Sequence, residues 1–474
     1  MYENFNKAAD HCSAALVCIL LTALAVSVIG KTGVFEMGGH QVPVGISLVL
    51  DSFSLPILII TGFISLMCVI FSFSYMDMYG SREKFFSLFL LMLAGMNGVV
   101  LTGDIFNLYV FMELAAVSSY ALVAYGTMKE ELEAAFKYLV ISGVATTFIL
   151  TGVAITYGHT RNLNMAFIYN MLSSSSVPPG MYLAAGFFMT GFAIKAALIP
   201  FHAWLPDAHP SAPAPISAML SGVLIKTVGI YAMIRVLFTV FGADTAVIGA
   251  LLRNLGVISL MGGVLLALGQ WDFKRLLAYH SVSQMGYIAL AFGIGTPLGV
   301  AAGLFHLLNH SVFKSLLFLN SGSVFYRTKT RDLRKMGGLN KVMPLTGATS
   351  MIASFSIAGL PPFNGFWSKL LIIIAALRGG YMWMALWAVL GSILTLASFA
   401  KVQRYAFVGE LKERWAKVKE VPFPMVFSMV FLAVLCVVMG LLMLPGIRIT
   451  FLEGAAEVLL NPGKYVSIAT GGKL

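Results

Sequence analysis

The sequence predicts an all-α integral membrane protein of about thirteen transmembrane helices, two of them broken. Three observations carry that reading. First, 59% of the 474 residues are hydrophobic and only 11% charged, whereas soluble domains carry roughly 25% charged residues. Second, runs of about 20 apolar residues recur along the chain, each long enough to cross a bilayer as a helix. They fall at about 12–30, 55–75, 84–102, 105–126, 135–157, 182–201, 215–241, 246–269, 276–296, 298–325, 344–377, 382–407 and 424–444. Third, prolines interrupt two of these regions.

The first run follows MYENFNKAADHC, which lacks a basic stretch and a small-residue cleavage site. It is expected to be a retained helix rather than a signal peptide. The basic residues then orient the chain. Of 31 Lys and Arg, eight lie inside spans. Seventeen belong to the N-terminus and the loops after even-numbered spans, counting Lys84 and Arg404 at span edges, and six to the other loops and the C-terminus. The richest loops are 326–342 and 408–423. Positive charge marks the cytoplasmic side, so the N-terminus is expected in the cytoplasm and the C-terminus outside the cell membrane. The same distribution assigns the net charge of +11 to topology rather than to nucleic acid.

Cys12, Cys18, Cys68 and Cys436 form no ligand spacing and are expected to be buried apolar residues, with no metal, iron–sulfur or other cofactor site. No phosphate-binding GxxxxGK[ST] motif is present, so energy must enter from an ion gradient or a partner.

The informative residues are charges inside spans. Glu113 lies in IFNLYVFMELAAVSSYALVAYG, with Asp104 at the mouth of that helix. Lys195, Lys226, Lys314 and Lys369 lie in four other runs. Each charge at mid-membrane costs about 2.5–3.5 kcal/mol, so these groups are expected to face protein or water and one another. Lys137 and Lys401, near span ends, are expected to reach the interface, and Arg253 to be structural. In GLFHLLNHSVFKSLLFL, His306, His310 and Lys314 recur every four residues and so stack on one helix face. A hydrated proton path is the expected reading, with a packed polar face as the alternative, and zinc is disfavoured because no acid or cysteine accompanies them. His280, expected near a helix start, is equally consistent with capping, a lateral contact or proton transfer.

The breaks sit beside these lysines. Pro200 lies five residues after Lys195, and Pro361 and Pro362 precede Lys369. Proline removes a backbone donor, and open backbone at membrane depth is tolerated only beside protein or water. Broken helices in two corresponding halves point to an ion or substrate site.

With these residues in place, the chain over about 50–445 resembles the antiporter-like subunits of respiratory complex I, the Mrp cation/proton antiporters and the membrane-bound hydrogenases. The resemblance rests on the Glu113 helix, KAALIPFHAWLPDAHPSAPAPISAMLSGVLIKTVGIY, HLLNHSVFKSLLFL and AGLPPFNGFWSK. It implies two inverted five-helix repeats, each with a broken helix. It implies a coupled Glu113–Lys195 pair, a bridging Lys226, a polar helix bearing His306, His310 and Lys314, and a terminal Lys369. On this basis the organisation is expected as N-terminal helices 1–104, half-channels 105–241 and 246–407, and a C-terminal part 408–474. Family members commonly have fourteen helices; the run at 12–30 is expected to correspond to the second of these, and the chain is expected to resemble the shorter subunits rather than the largest one with its long lateral helix. The ancillary loops look closer to the Mrp and hydrogenase branch.

The function expected is translocation of protons, or Na⁺/H⁺ antiport, by one subunit of a larger complex. Its expected partners are homologous antiporter-like subunits and a hydrogenase-like or quinone-linked redox module, which would hold the redox centre. The alternatives are a self-contained transporter of an organic solute and a structural subunit that does not pump.

Overall fold

The computed structural model describes residues 2–80, 82–174, 176–242 and 246–471. The ends of the first and last expected segments, residue 1 and residues 472–474, lie outside the described residues. Eight described helices are long and apolar enough to cross a membrane: Ser54–Met78, Arg82–Leu101, Ile105–Val123, Lys129–Thr160, Ala214–Phe241, Ala246–Leu268, Met382–Phe407 and Phe423–Met443. The other expected runs are also mainly helical, in Tyr2–Ser27, Pro179–Lys195, Phe273–Gly293, Pro297–Thr328, and the pair Pro344–Ala358 and Asn364–Arg378. The Pro297–Thr328 helix is long enough to cross but carries His306, Asn309, His310, Lys314 and Asn320, all fully buried. Large apolar side chains such as Phe136, Val144, Ile258 and Ile393 are exposed instead, which suits a surface that meets lipid.

Both breaks lie where the prolines put them. Residues 196–204 are non-helical around Pro200, and the short helix Leu205–Ser211 follows. Residues 359–363 are non-helical around Pro361 and Pro362. Gly359 ends the preceding helix at φ +83°, where a side chain would be strained, and a Cβ there would lie 3.0 Å from Lys369 Cδ.

A constant register relates the two halves. Asp104 caps its helix by accepting from Phe106 N and Asn107 N, and Asp272 caps its own by accepting from Arg275 N. Each capped helix is followed by one of 32 residues, Lys129–Thr160 or Pro297–Thr328. These end in left-handed residues, Arg161 and Lys329, both at φ 53°. The chain then returns to the capped helix, with Ile105 N donating to Leu163 O and Phe273 N to Arg331 O, both at 2.9 Å. The differences 272 − 104, 329 − 161 and 331 − 163 all equal 168. Two close glycine packings keep the same offset. A Cβ on Gly95 would lie 2.6 Å from Ala115 N, and one on Gly263 2.5 Å from Ser283 N.

Three features differ from expectation. Residues 33–36 and 47–50, between the first two expected spans of a chain expected to be all-α, pair as an antiparallel hairpin with Gly33 opposite Leu50. Four-residue strands are too short for alternation to declare itself. Cys12 is exposed, while Cys18, Cys68 and Cys436 are buried. Glu113 is also not the only acid deep in the fold. Asp51, fully buried, accepts from Arg235 Nη1 at 2.7 Å and Nη2 at 2.8 Å. The bidentate fork supplies two charge-assisted bonds, and Asp51 also accepts from Phe53 N and Ser54 N at the start of the next helix. Removing one partner of such a pair costs about 3–5 kcal/mol because the other charge stays buried.

Candidate functional site

The first half brings Glu113 and Lys195 together. Lys195 is the last residue of its helix, where the dipole favours a cation. Its Nζ lies 3.4 Å from Glu113 Oε1 and donates to Ser142 Oγ at 2.6 Å. Tyr120 OH also donates to Ser142, at 2.5 Å. The Ile194 carbonyl, in the last turn before the break, accepts from Trp204 Nε1 at 3.0 Å as well as from Ala197 N at 3.1 Å. The indole lies flat on Tyr138, with ring centroids 4.3 Å apart.

Lys226 stands apart from that pair. It lies on a π-helical stretch, Leu220–Tyr231, within the helix Ala214–Phe241. Such wider turns are common at functional sites. Its ammonium donates to Ser221 O. Ser221 Oγ is 2.7 Å from Ser281 Oγ, Ser281 donates to Leu277 O at 3.2 Å, and Lys314 Nζ donates to that same carbonyl. A polar chain therefore joins Lys226 to Lys314 across the two halves.

His306, His310 and Lys314 do share a face of the Pro297–Thr328 helix, and all three are fully buried. The two imidazoles stack with centroids 6.4 Å apart. His306 Nε2 is 3.1 Å from Gln284 Oε1, and Nδ1 is 2.9 Å from Ser368 Oγ, beside Lys369. Lys369 Nζ donates to Ile357 O at 2.8 Å and stands 4.7 Å from the centre of the Tyr287 ring. Ile357 is in the last turn before the break, so the lysine satisfies a carbonyl that the break leaves free.

The same solution recurs elsewhere. Lys401 donates to Leu268 O and Gln270 O, both at 2.7 Å, at a helix end. Lys274, buried and not anticipated, donates to Ala212 O at 2.6 Å after the short helix. Lys137 is paired with Glu133 at 2.8 Å and Asp207 at 3.3 Å. Arg253 donates to Gly293 O at 2.5 Å and lies over Tyr381.

His280 is not a cap. Its helix begins at Phe273, capped by Asp272, so His280 is two turns in, fully buried, with Nε2 2.8 Å from Ser398 Oγ. The apolar run at 276–296 places it too near the start because Lys274 and Arg275 hide the first helical turn. His209 carried no signal in the sequence. It is fully buried, its ring tilted against Phe318 with centroids 4.6 Å apart, and neither ring nitrogen has a hydrogen-bond partner among the described residues.

Residues 102–395 match the family described as "NADH:quinone oxidoreductase/Mrp antiporter, TM", and residues 35–86 match "NADH-Ubiquinone oxidoreductase (complex I), chain 5 N-terminus". The chain belongs to the NADH:quinone oxidoreductase/Mrp antiporter family. The matched span contains every residue of the line from Glu113 to Lys369. Among relatives in this family, a Na(+)/H(+) antiporter subunit of Alkalihalophilus pseudofirmus is 34% identical over 95% of this chain and 92% of its own. An NADH-quinone oxidoreductase subunit of Desulforudis audaxviator is 35% identical over 90% of this chain and 89% of its own. A protein of the Mrp complex of Dietzia sp. DQ12-45-1b superposes with a TM-score of 0.90 at 30% identity, covering 98% of this chain and 95% of that one. Antiporter and quinone oxidoreductase members are thus similarly near in sequence.

Proposed function

We propose that this chain is an ion-translocating subunit of a multisubunit membrane complex. It moves protons, or exchanges Na⁺ for H⁺, along Glu113, Lys195, Lys226, Lys314, His310, His306 and Lys369. The observation that carries the reading is a line of buried titratable groups threaded through two broken helices. Lys226, Lys314, His306 and Lys369 are held by a hydroxyl, an amide or a carbonyl rather than by an opposite charge, Lys195 has Glu113 and Ser142, and neither ring nitrogen of His310 has a hydrogen-bond partner among the described residues. Among the described residues, Lys195, Lys226, Lys314 and Lys369 have one carboxylate partner between them, Glu113. Lysines in that setting can lose a proton, because only the charged form is penalised by burial. Pro200, Pro361 and Pro362 supply the irregular backbone. No redox centre or cofactor is assigned to this chain.

The halves are read as two inverted five-helix repeats among about thirteen spans. The 168-residue offset supports this and moves one boundary. It pairs the Arg82–Leu101 helix with Ala246–Leu268, so the first repeat is proposed as 82–241 rather than 105–241, and the second stays at 246–407. Inversion is supported by where the two return motifs sit. The Asp104 motif adjoins the hairpin through Gly103 N and Ser47 O at 2.8 Å. The Asp272 motif adjoins Asp207 and Pro210 through Arg275 and Arg331. The 32-residue Lys129–Thr160 helix separates them, about 48 Å long, with Lys137 near Asp207 and Thr160 beside the Asp104 motif.

Partners are proposed as other membrane subunits, including homologous antiporter-like ones, with a hydrogenase-like or quinone-linked module as the energy source. Glu113 supports cover by a neighbour. Its side chain is 30% exposed half-way along an apolar helix, and a carboxylate facing lipid there is costly.

The complex reconstituted in sealed vesicles tests the reading through Lys226→Met, which keeps an unbranched side chain one atom shorter and removes its charge. Proton or Na⁺ transfer is expected to fall below about a tenth of the parental rate, on the scale of a lost charge-assisted interaction. Parental rates in the assembled variant would overturn the relay. Orientation is tested separately. Single cysteines in the 326–342 loop, in a background without the four native cysteines, are expected to label from the cytoplasmic side. Labelling from outside would reverse the topology.

A further inference from the structure

Ser142 lies on the Lys129–Thr160 helix with Tyr138 and Thr146 one turn away on the same face. Its Oγ makes the shortest bond to the Lys195 ammonium, 2.6 Å against 3.4 Å from Glu113 Oε1, and is itself held by Tyr120 OH at 2.5 Å. The internal repeat supplies an independent argument. Adding 168 to 138, 142 and 146 gives 306, 310 and 314. Tyr138, Ser142 and Thr146 therefore occupy the positions that His306, His310 and Lys314 hold in the second half.

We propose that Ser142, anchored by Tyr120, is a positioning residue that partners Lys195 in both of its protonation states. This rests on the ion-transfer reading above. A hydroxyl carries one donor and two acceptor positions. Ser142 accepts from the charged lysine and, by turning its O–H, donates to the neutral amine. Glu113, as a carboxylate, can only accept, so it can take an N–H from either form but cannot match the lone pair that deprotonation exposes on the amine. When the proton leaves Lys195, the amine keeps a partner and stays in register, and no buried polar atom is left unmatched. Tyr120 OH donates to Ser142 in either state. The groups facing Lys195 from the packed elements are Glu113 and Tyr120 on one helix and Tyr138 with Ser142 on the next. Tyr138 OH is engaged with Ser119 Oγ at 3.1 Å, and Trp204 with Ile194 O.

The test compares Ser142→Ala, Ser142→Thr, Tyr120→Phe and Glu113→Ala in the assembled complex in vesicles. Ser142→Ala is expected to assemble normally and transfer ions at about a tenth of the parental rate or less, the loss of one hydrogen bond to a charged group. Ser142→Thr restores the hydroxyl and most of the rate. Tyr120→Phe keeps the ring, packs as before and gives an intermediate loss. If Glu113→Ala is impaired while Ser142→Ala runs at the parental rate, the positioning role alone is overturned. It is also overturned if assembled Ser142→Thr is as slow as alanine and Tyr120→Phe is unimpaired, because volume rather than the hydroxyl would then matter. Parental transfer by Glu113→Ala would show that the Glu113–Lys195 pair is not part of the ion path and would remove the relay reading on which this proposal rests.

Discussion

Replacing Glu113 with alanine is expected to cut ion transfer by at least tenfold while leaving the assembled complex at close to parental amounts. The two halves of that expectation have separate causes. Among the described residues, Glu113 is the one carboxylate within 4 Å of a buried lysine of the relay, 3.4 Å from Lys195 Nζ. It is therefore the group that stabilises the charged form of that lysine by Coulomb attraction as well as by a hydrogen bond. Removing a partner of a charged group costs about 1.5–3 kcal/mol, or roughly 10- to 150-fold in a rate that depends on it. Assembly should survive because the side chain is partly exposed and fills no tightly packed core position, and Lys195 keeps its shorter bond to Ser142. Glu113→Gln sharpens the comparison by keeping shape and hydrogen-bonding capacity without the charge, and it should be nearly as slow as alanine. An assembled Glu113→Ala complex that moves ions at the parental rate would show that this carboxylate is dispensable.

The first half of the site was legible in sequence because its chemistry is rare in context. A glutamate or lysine inside an apolar run stands out against its neighbours, and prolines mark broken backbone whatever surrounds them. Distances were not legible. Nothing in the spacing of Glu113 and Lys195, 82 residues apart, says that they meet, or that Lys226 meets neither. The groups that connect the line were hidden for a different reason. Ser142, Ser221, Ser281 and Ser368 are ordinary in transmembrane helices, where a hydroxyl usually bonds its own helix four residues back. Ser281 does this as well, to Leu277 O. Asp51 and Arg235 escaped notice because one precedes a span and the other sits inside a different one, and only the fold stacks them. The 168-residue register was not legible because its markers share geometry and differ in identity: Arg161 stands where the second half has Lys329, and Asn164 where it has Asp332. What recurs is a left-handed residue and a capping oxygen, which many residue types provide.

Replacing Lys369 with arginine distinguishes a proton carrier from a fixed charge, and the carrier role predicts a loss of at least tenfold. Lys369 sits just beyond the Pro361–Pro362 break, where its Nζ donates to Ile357 O at 2.8 Å and lies over the Tyr287 ring at 4.7 Å. Both contacts favour a cation: the carbonyl is at the negative end of the Pro344–Ala358 helix, and the ring face is electron-rich. Neither contact requires the proton to leave. A guanidinium would satisfy both and hold its charge at any working pH, whereas an ammonium released from that carbonyl can give up a proton. If Lys369 carries protons, the arginine variant fails, and Lys369→Glu recovers part of the rate because a carboxyl also titrates. If Lys369 is a fixed charge that orients His306 through Ser368, arginine works and glutamate, with the opposite sign, does not. Space is the competing explanation for an arginine failure. Gly359 leaves only 3.0 Å between a Cβ position and Lys369 Cδ, so the stem is closely confined. Assembly must therefore be matched before rates are compared. Lys369→Gln, which has no formal charge and is smaller than arginine, separates the effects: it should be slow under either role, while a purely steric defect would spare it. Parental transfer by an assembled Lys369→Arg complex would end the carrier role and leave Lys369 as an electrostatic gate at the end of the histidine line.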